Sequence, residues 1–151
     1  MTISGKALIA NHLDKEVLSS DGVLTILHDI DFAIDHGESV AITGASGSGK
    51  STLLGLMAGL DLPSSGYVSL MGQNLGELDE DGRARLRGEH IGFVFQSFQL
   101  LSHLTALENV AAGLEFRGVS QDEREDQARA WLARVGLAGF EDRFPHQMSG
   151  G

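Results

Sequence analysis

The chain has 151 residues, of which 42% are hydrophobic and 21% charged, enough for one buried core and too few for two domains of ordinary size. Lys and Arg number 11 and Asp and Glu 21, a formal net charge of −10, and no basic stripe is present to displace counterions from nucleic-acid phosphates, so no nucleic-acid partner is expected. Cysteine is absent, which excludes disulfides, thiolate metal sites and cysteine nucleophiles and fits a reducing compartment.

Met1-Thr2-Ile3-Ser4 carries no basic leader region. The longest apolar stretches, Leu53 to Leu60 and Phe93 to Leu101, fall short of the ~18 residues that a membrane span needs. A soluble, cytoplasmic chain is expected, with any membrane connection made through a partner. Lys6 to His12 is predicted as a first strand, followed by a polar loop through Ser19-Ser20-Asp21-Gly22. From Ile26 the pattern alternates: Ile26, His28, Ile30, Phe32 and Ile34 share one face, and Asp29, Asp31 and Asp35 point the other way. Period two with one wet face predicts an antiparallel, half-exposed strand.

Asp35-His36-Gly37 then turns into Ser39-Val40-Ala41-Ile42-Thr43, predicted as a short buried strand, and Thr52 to Ala58 reads as an apolar helix. Between them lies Gly44-Ala45-Ser46-Gly47-Ser48-Gly49-Lys50-Ser51, which fits the phosphate-loop pattern of Gly, four residues, Gly-Lys-Ser, in the strand-to-helix context that the motif requires. Its glycines let successive amides curl toward one concavity, and the helix start adds its partial positive charge there. Lys50 is expected to reach the β and γ phosphates, the Ser51 hydroxyl to ligate Mg2+, and Thr52 to lie near a phosphate oxygen.

Asp61-Leu62-Pro63-Ser64-Ser65-Gly66 is a strong turn signal, and Tyr67 to Leu70 is a short strand closed by Gly72-Gln73-Asn74. Asp79 to Glu89 is predicted as a short helix whose Arg83, Arg85 and Arg87 form a solvated face. Ile91-Gly92-Phe93-Val94-Phe95 is nearly continuous in apolar character and predicts a strand covered on both sides, with its phenylalanines in the core. Beyond Gln96 the period changes. Thr105-Ala106-Leu107-Glu108 and Ser120-Gln121-Asp122-Glu123 are two capping boxes, each marking a helix start. The second helix is predicted to bury Ala128, Trp131, Leu132 and Val135 and to end at Gly136. His12, His28, His36, His90, His103 and His146 show no helical ligand spacing, so ordinary surface or core histidines are expected.

Taken together these residues resemble the ATP-binding subunit of ABC transporters, over the whole chain. Leu27-His28-Asp29-Ile30, Gly37-Glu38, the phosphate loop and Gly59 to Gly66 look like the family's first half. Phe93-Val94-Phe95-Gln96 is similar to its Q-loop, Thr105-Ala106-Leu107-Glu108-Asn109-Val110 to the segment that follows, and Met148-Ser149-Gly150-Gly151 to the start of its signature motif. The wording around Gln96 to Leu101 and Thr105 to Val110 resembles the branch that serves lipoprotein release and macrolide export.

The resemblance implies an α/β fold, the N-terminal part of an ABC-type P-loop NTPase domain with an antiparallel β subdomain, a helical subdomain and an incomplete sheet. It implies a single partial domain with an α/β part over 1–95, a helical part over 96–147 and the signature start over 148–151. It implies ATP and Mg2+ as cofactors: Gly44 to Thr52 would cradle the phosphates, Gln96 would coordinate Mg2+ and the water near the γ phosphate, and Ser149, Gly150 and Gly151 would bind the γ phosphate held by a second subunit. A head-to-tail pair of ATP-binding subunits, a membrane permease partner and a place at the inner membrane face follow from the same resemblance, as does ATP hydrolysis coupled to transport.

Two departures stand out. The position expected to stack on adenine corresponds to Val17, which has no ring to offer. The sequence ends inside the signature, without the family's later Asp-Glu strand and switch histidine. On that basis the chain by itself is expected to bind nucleotide at best, to hydrolyse it poorly, and to be unstable or aggregating when expressed alone. Three rival readings stand beside this one: another P-loop enzyme such as a kinase or GTPase, which would need an acceptor-site lid or an Asn-Lys-x-Asp run, neither of which the sequence shows; a soluble ABC ATPase working on nucleic acid, opposed by the acidic charge and by the segment Thr105 to Val110; and a truncated, non-catalytic product that binds nucleotide or nothing.

Overall fold

The computed structural model describes residues 5–20, 22–95, 97–115 and 118–148. The chain divides into two compact units, Met1–Gly92 and Phe93–Gly151.

In the first unit a four-stranded antiparallel sheet has the order β2-β1-β3-β4, with β1 Lys6–Ser19, β2 Gly22–Asp35, β3 Ser65–Leu70 and β4 Gln73–Asn74. The expected first strand is twice as long as its apolar stretch because it pairs with β2 from Lys6↔Asp35 to Ser19↔Gly22, so ladder bonds extend it past the apolar residues. The expected alternation of β2 holds from Ile30 to Ile34 and then breaks. One extra residue on β2 lies between the pairs Leu13↔Ile30 and Lys15↔Leu27, and Asp29 takes φ 48° there. A bulge of this kind shifts the facing of everything beyond it. Leu27 is therefore buried and His28 exposed, which corrects the expectation that His28 shares the inward face of Ile30, Phe32 and Ile34.

Helix α1, Lys50–Met57, packs on this sheet through Leu53 and Leu56, one turn apart and both buried. Each such leucine contributes about 1.5–3 kcal/mol of burial free energy. The helix stops where Gly59 N–H donates to the Leu56 carbonyl (3.0 Å) and Leu60 N–H to the Gly55 carbonyl (2.9 Å), the paired bonds that satisfy the last carbonyls of a helix. The core around α1 comprises Leu8, Ala10, Leu13, Leu27, Val68, Leu70, Leu75 and Leu86.

Helix α2, Glu80–His90, starts on an Asp79 side chain that accepts from Gly82 N–H (2.8 Å). Two of its arginines are not a solvated face, contrary to the sequence expectation. Arg83 donates to the Leu78 carbonyl (2.6 Å) and Glu80 (2.7 Å); Arg87 donates to the Gly59 carbonyl and to Glu80 (3.0 Å). Their side chains are only 14% and 19% exposed, because the stems lie along the protein while the guanidinium groups reach free carbonyls at element ends. Arg85 is exposed as expected.

Two predicted strands are not formed. Ser39–Thr43 and Ile91–Phe95 run outside any ladder among the described residues, and Val40 (51%), Phe93 (43%), Val94 (102%) and Phe95 (55%) are exposed. The reason is that a parallel strand exists only through a neighbour's hydrogen bonds, and no described segment supplies them. Phe93 and Phe95 instead stack on each other, centroids 5.6 Å apart.

The second unit contains α3, Ala106–Glu115, and α4, Gln121–Arg134, packed through Ala106, Leu107, Ala128 and Leu132. The first capping box forms as expected: Thr105 N–H donates to Glu108 (2.7 Å) and Glu108 N–H to the Thr105 hydroxyl (3.3 Å). At the second, Ser120 is the N-cap residue of α4 but its side chain makes no cap bond, so the reciprocal pair is absent although the helix begins where expected. Trp131 (49%) and Val135 (67%) are exposed rather than packed, which corrects the predicted face. Of the predicted face, Ala128 and Leu132, at i and i+4, are buried with α3, and Trp131 is covered by the Arg134 guanidinium 4.4 Å from its ring. Gly136, at φ 80°, closes α4 as expected, with Leu137 N–H on the Leu132 carbonyl (2.8 Å).

Candidate functional site

The loop Gly44 to Gly49 connects the Ser39–Thr43 segment to α1. Gly47 (φ 79°) and Gly49 (φ 84°) are left-handed, and left-handed residues interleaved with ordinary ones curl successive N–H groups into an anion-binding hollow. Gly49 is the N-cap residue of α1, and its carbonyl accepts from Leu53 N–H at 2.8 Å, so the loop's curl passes directly into the helix. Ser48 N–H donates to the Ala45 carbonyl (3.3 Å). Among the described residues no side chain accepts from the amides of Ala45 to Ser51, which leaves those other than Ser48's available to a ligand.

Lys50 reaches back over the loop it terminates. Its Nζ donates to the Gly44 carbonyl (2.8 Å) and the Ala45 carbonyl (2.6 Å), holding a full positive charge at the loop. Ser51 is exposed and Thr52 half-buried on the first turn of α1. That turn carries no acidic residue, whereas α2 has Glu80 and Asp81, α3 Glu108, and α4 Asp122 and Glu123 in theirs. Helices α2, α3 and α4 place carboxylates at their positive ends; α1 carries none in its first turn. An ammonium, free amides and an uncompensated helix start fit a polyphosphate, and Ser51 offers a hydroxyl of the kind that holds the accompanying Mg2+.

One contributor escaped the sequence reading. A Cβ on Gly49 would lie 2.9 Å from Leu27 Cδ2 and 3.0 Å from the Ile26 carbonyl, so strand β2 forms the wall against which the loop closes. Leu27 is not among the residues that the alternation assigns to the buried face; the bulge at Asp29 turns it in. Val17 lies in β1 opposite Leu24 and is 38% exposed, an aliphatic surface without a ring. Gln96 and Ser149, Gly150 and Gly151 lie outside the described residues. Met148, just before them, is half-buried against the α3–α4 core. In the stretch leading to α3, the Asn109 side chain takes Leu101 N–H (2.8 Å) on its oxygen and gives its amide to the carbonyls of Leu101 (3.1 Å), Leu104 (3.0 Å) and Thr105 (2.9 Å).

A family model described as ABC transporter matches residues 27–151. The chain is 49% identical over 141 residues to an uncharacterized ABC transporter ATP-binding protein, YbbA, of Escherichia coli, covering 93% of this chain and 62% of that protein. It is 43% identical over 149 residues to the lipoprotein-releasing system ATP-binding protein LolD of Hahella chejuensis, covering 99% of this chain and 64% of that one. Among solved structures, a dimeric ATP-binding cassette, MJ0796, in a post-hydrolysis state bound to ADP and Pi, superposes with a TM-score of 0.84 at 36% identity, over 95% of this chain and 63% of that chain. The chain thus spans a little under two thirds of the length of these relatives. Likeness in sequence over nearly its whole extent, in fold, and in the loop that enters α1 leads to one assignment: the chain belongs to the ABC transporter family.

Proposed function

We propose that the chain is the nucleotide-holding part of the ATP-binding subunit of an ABC transporter from the lipoprotein-release and macrolide-export branch. The observation that carries this is the Lys50 ammonium lying on the Gly44 and Ala45 carbonyls beside loop amides that no side chain occupies. In this reading the triphosphate of ATP takes the loop from Gly44 to Thr52. Lys50 exchanges its two carbonyl partners for the β and γ phosphate oxygens, a change that trades neutral acceptors for charged, stronger ones. Ser51, with Gln96, holds Mg2+, whose charge offsets that of the phosphate oxygens when it is bound. Ser149, Gly150 and Gly151 serve the nucleotide of a second ATP-binding subunit in a head-to-tail pair. The whole protein hydrolyses ATP and couples it, through a permease, to export or lipoprotein release at the inner face of the membrane.

Isothermal titration of the chain with ATP and Mg2+ tests the reading. Saturable binding that is lost in Lys50→Ala, with AMP binding far more weakly than ATP, is the expected result. Equal heats for the native chain and Lys50→Ala would sink it.

A further inference from the structure

Two one-residue bulges face each other across the β1–β2 ladder. Between the pairs Ala10↔Phe32 and Leu13↔Ile30 the extra residue is on β1; between Leu13↔Ile30 and Lys15↔Leu27 it is on β2. His12 (φ 45°) and Asp29 (φ 48°) occupy them. Bulges re-aim side chains, and here they bring His12 Nδ1 to 2.7 Å from Asp29 Oδ1 and 3.0 Å from Asp31 Oδ2. These three donor groups lie within 4.8 Å of one another on two paired strands.

The surroundings orient them. Asp31 Oδ1 accepts from His12 N–H (3.1 Å) and from Asn11 Nδ2 (3.2 Å), which leaves Oδ2 directed at the imidazole. Asp29 N–H donates to Asp14 Oδ1 (2.9 Å), and Asp14 is itself held by the Ser65 hydroxyl of β3 and the His28 ring. Gly66 lies beneath: a side chain there would collide with the carbonyls of Asn11 and His12, so the bulge on β1 depends on its absence. Outer partners that fix ligand orientation in this way are a regular part of metal sites.

The charge of the cluster is what points to a cation. Elsewhere in this unit Asp35 meets Lys6 (2.8 Å), Asp61 meets Lys15 (2.7 Å) and Glu80 meets Arg83 and Arg87. Among the described residues the only basic side chains paired with Asp14, Asp29 and Asp31 are the imidazoles of His12 and His28, and no lysine or arginine pairs with them. Three carboxylates facing two imidazoles leave negative charge that a single divalent ion would offset while taking the imidazole nitrogen as a ligand.

We propose that His12, Asp29 and Asp31 form a binding site for a divalent transition-metal cation of the zinc class. One nitrogen and two carboxylate oxygens suit zinc or its neighbours, with water filling the remaining position; Mg2+, which demands near-ideal octahedral oxygen and keeps its waters, is disfavoured. Bonds of ~2.0–2.2 Å to a tetrahedral ion set ligand-to-ligand contacts of roughly 3.3–3.5 Å. Asp29 (2.7 Å) and Asp31 (3.0 Å) must therefore both retreat slightly from His12, which side chains 60%, 44% and 70% exposed allow. The site is separate from the nucleotide loop and does not depend on its reading.

Calorimetric titration of the nucleotide-free chain with Zn2+, paired with Co2+ titration followed by visible absorption, tests it. One saturable event and a Co2+ ligand-field band are expected, with Zn2+ raising the melting midpoint. His12→Ala and the isosteric Asp31→Asn should each weaken Zn2+ binding at least about tenfold, the scale on which even outer-shell losses are felt. Lys50→Ala should leave it unchanged, and excess Mg2+ should not compete. Absence of a saturable event, or unchanged affinity in either cluster variant, overturns the proposal. Circular dichroism of the metal-free variants separates loss of the site from loss of the fold: a variant that melts as the parent does and still binds Zn2+ equally refutes it.

Discussion

Gly49 and Leu27 leave no room for a side chain between them: a Cβ on the glycine would sit 2.9 Å from Leu27 Cδ2, so the end of the Gly44–Gly49 loop is fitted against strand β2. Gly49→Ala combines this collision with a left-handed φ of 84° and is expected to destabilise by about 1–3 kcal/mol. Gly47→Ala, at φ 79° with open space around its Cβ, carries the conformational cost alone and should lose about 1–2 kcal/mol. Denaturant melts of the two variants compare them directly. A Gly47→Ala variant that is the less stable of the pair would show that Leu27 does not wall the loop.

Arg87 ties α2 to the end of α1, since one guanidinium nitrogen serves the Gly59 carbonyl and another Glu80. A lysine cannot span both acceptors in a fixed fork. Arg87→Lys should therefore recover little of what Arg87→Ala loses, about 1–3 kcal/mol for hydrogen bonds involving a charged group. Thermal melts of both variants check this, and a fully stable Arg87→Lys would contradict it.

Asn109 makes four hydrogen bonds to the backbone of Leu101, Leu104 and Thr105, which pin the segment before α3 to the helix. Asn109→Ala removes the partner of the Leu101 N–H and the Leu104 carbonyl, while the Leu101 and Thr105 carbonyls keep the backbone N–H groups of Leu104 and Asn109, at a cost of about 1–3 kcal/mol. Hydrogen exchange at the Leu101 amide should accelerate while the amides of α4 stay protected. Unchanged exchange at Leu101 would mean that water replaces Asn109 without consequence.

Glu108 closes the capping box of α3, and its carboxyl is held below the ordinary glutamate range, first by Thr105 N–H and then by the Thr105 hydroxyl. A folded-state pKa below the unfolded one means stability that is present above the unfolded value and is lost as pH falls through the folded one. The contribution to α3 should thus be full at neutral pH and disappear as the solution is acidified below the glutamate range. In Glu108→Gln, which keeps the acceptor and drops the charge, that acid-sensitive part should be missing. Melting midpoints of both proteins over an acid series read it out, and parallel curves would reject it.

Much of the site could be read locally. The glycine spacing from Gly44 to Gly49, Lys50 and Ser51, the Thr105–Glu108 box and the stop at Gly136 are contained within a few residues each, and short-range sterics and hydrogen bonds decide them. Ser39–Thr43 and Ile91–Phe95 looked like strands by the same local logic. Both failed because a ladder partner is supplied by another stretch of chain, which no apolar run can announce.

By itself the sequence determined the glycine-rich loop that leads into α1, where α3 and α4 begin, where α4 ends, and the family, because motif spacing and capping chemistry are properties of neighbours along the chain. Only the tertiary structure decided that Leu27 walls the loop, that Arg83 and Arg87 clamp element ends, and that His12 meets Asp29 and Asp31. The first and last of these depend on strand register and on the two opposed bulges of β1 and β2, since a shift of one residue in pairing reverses which side chains face each other, and the arginine contacts depend on where α2 lies beside Gly59.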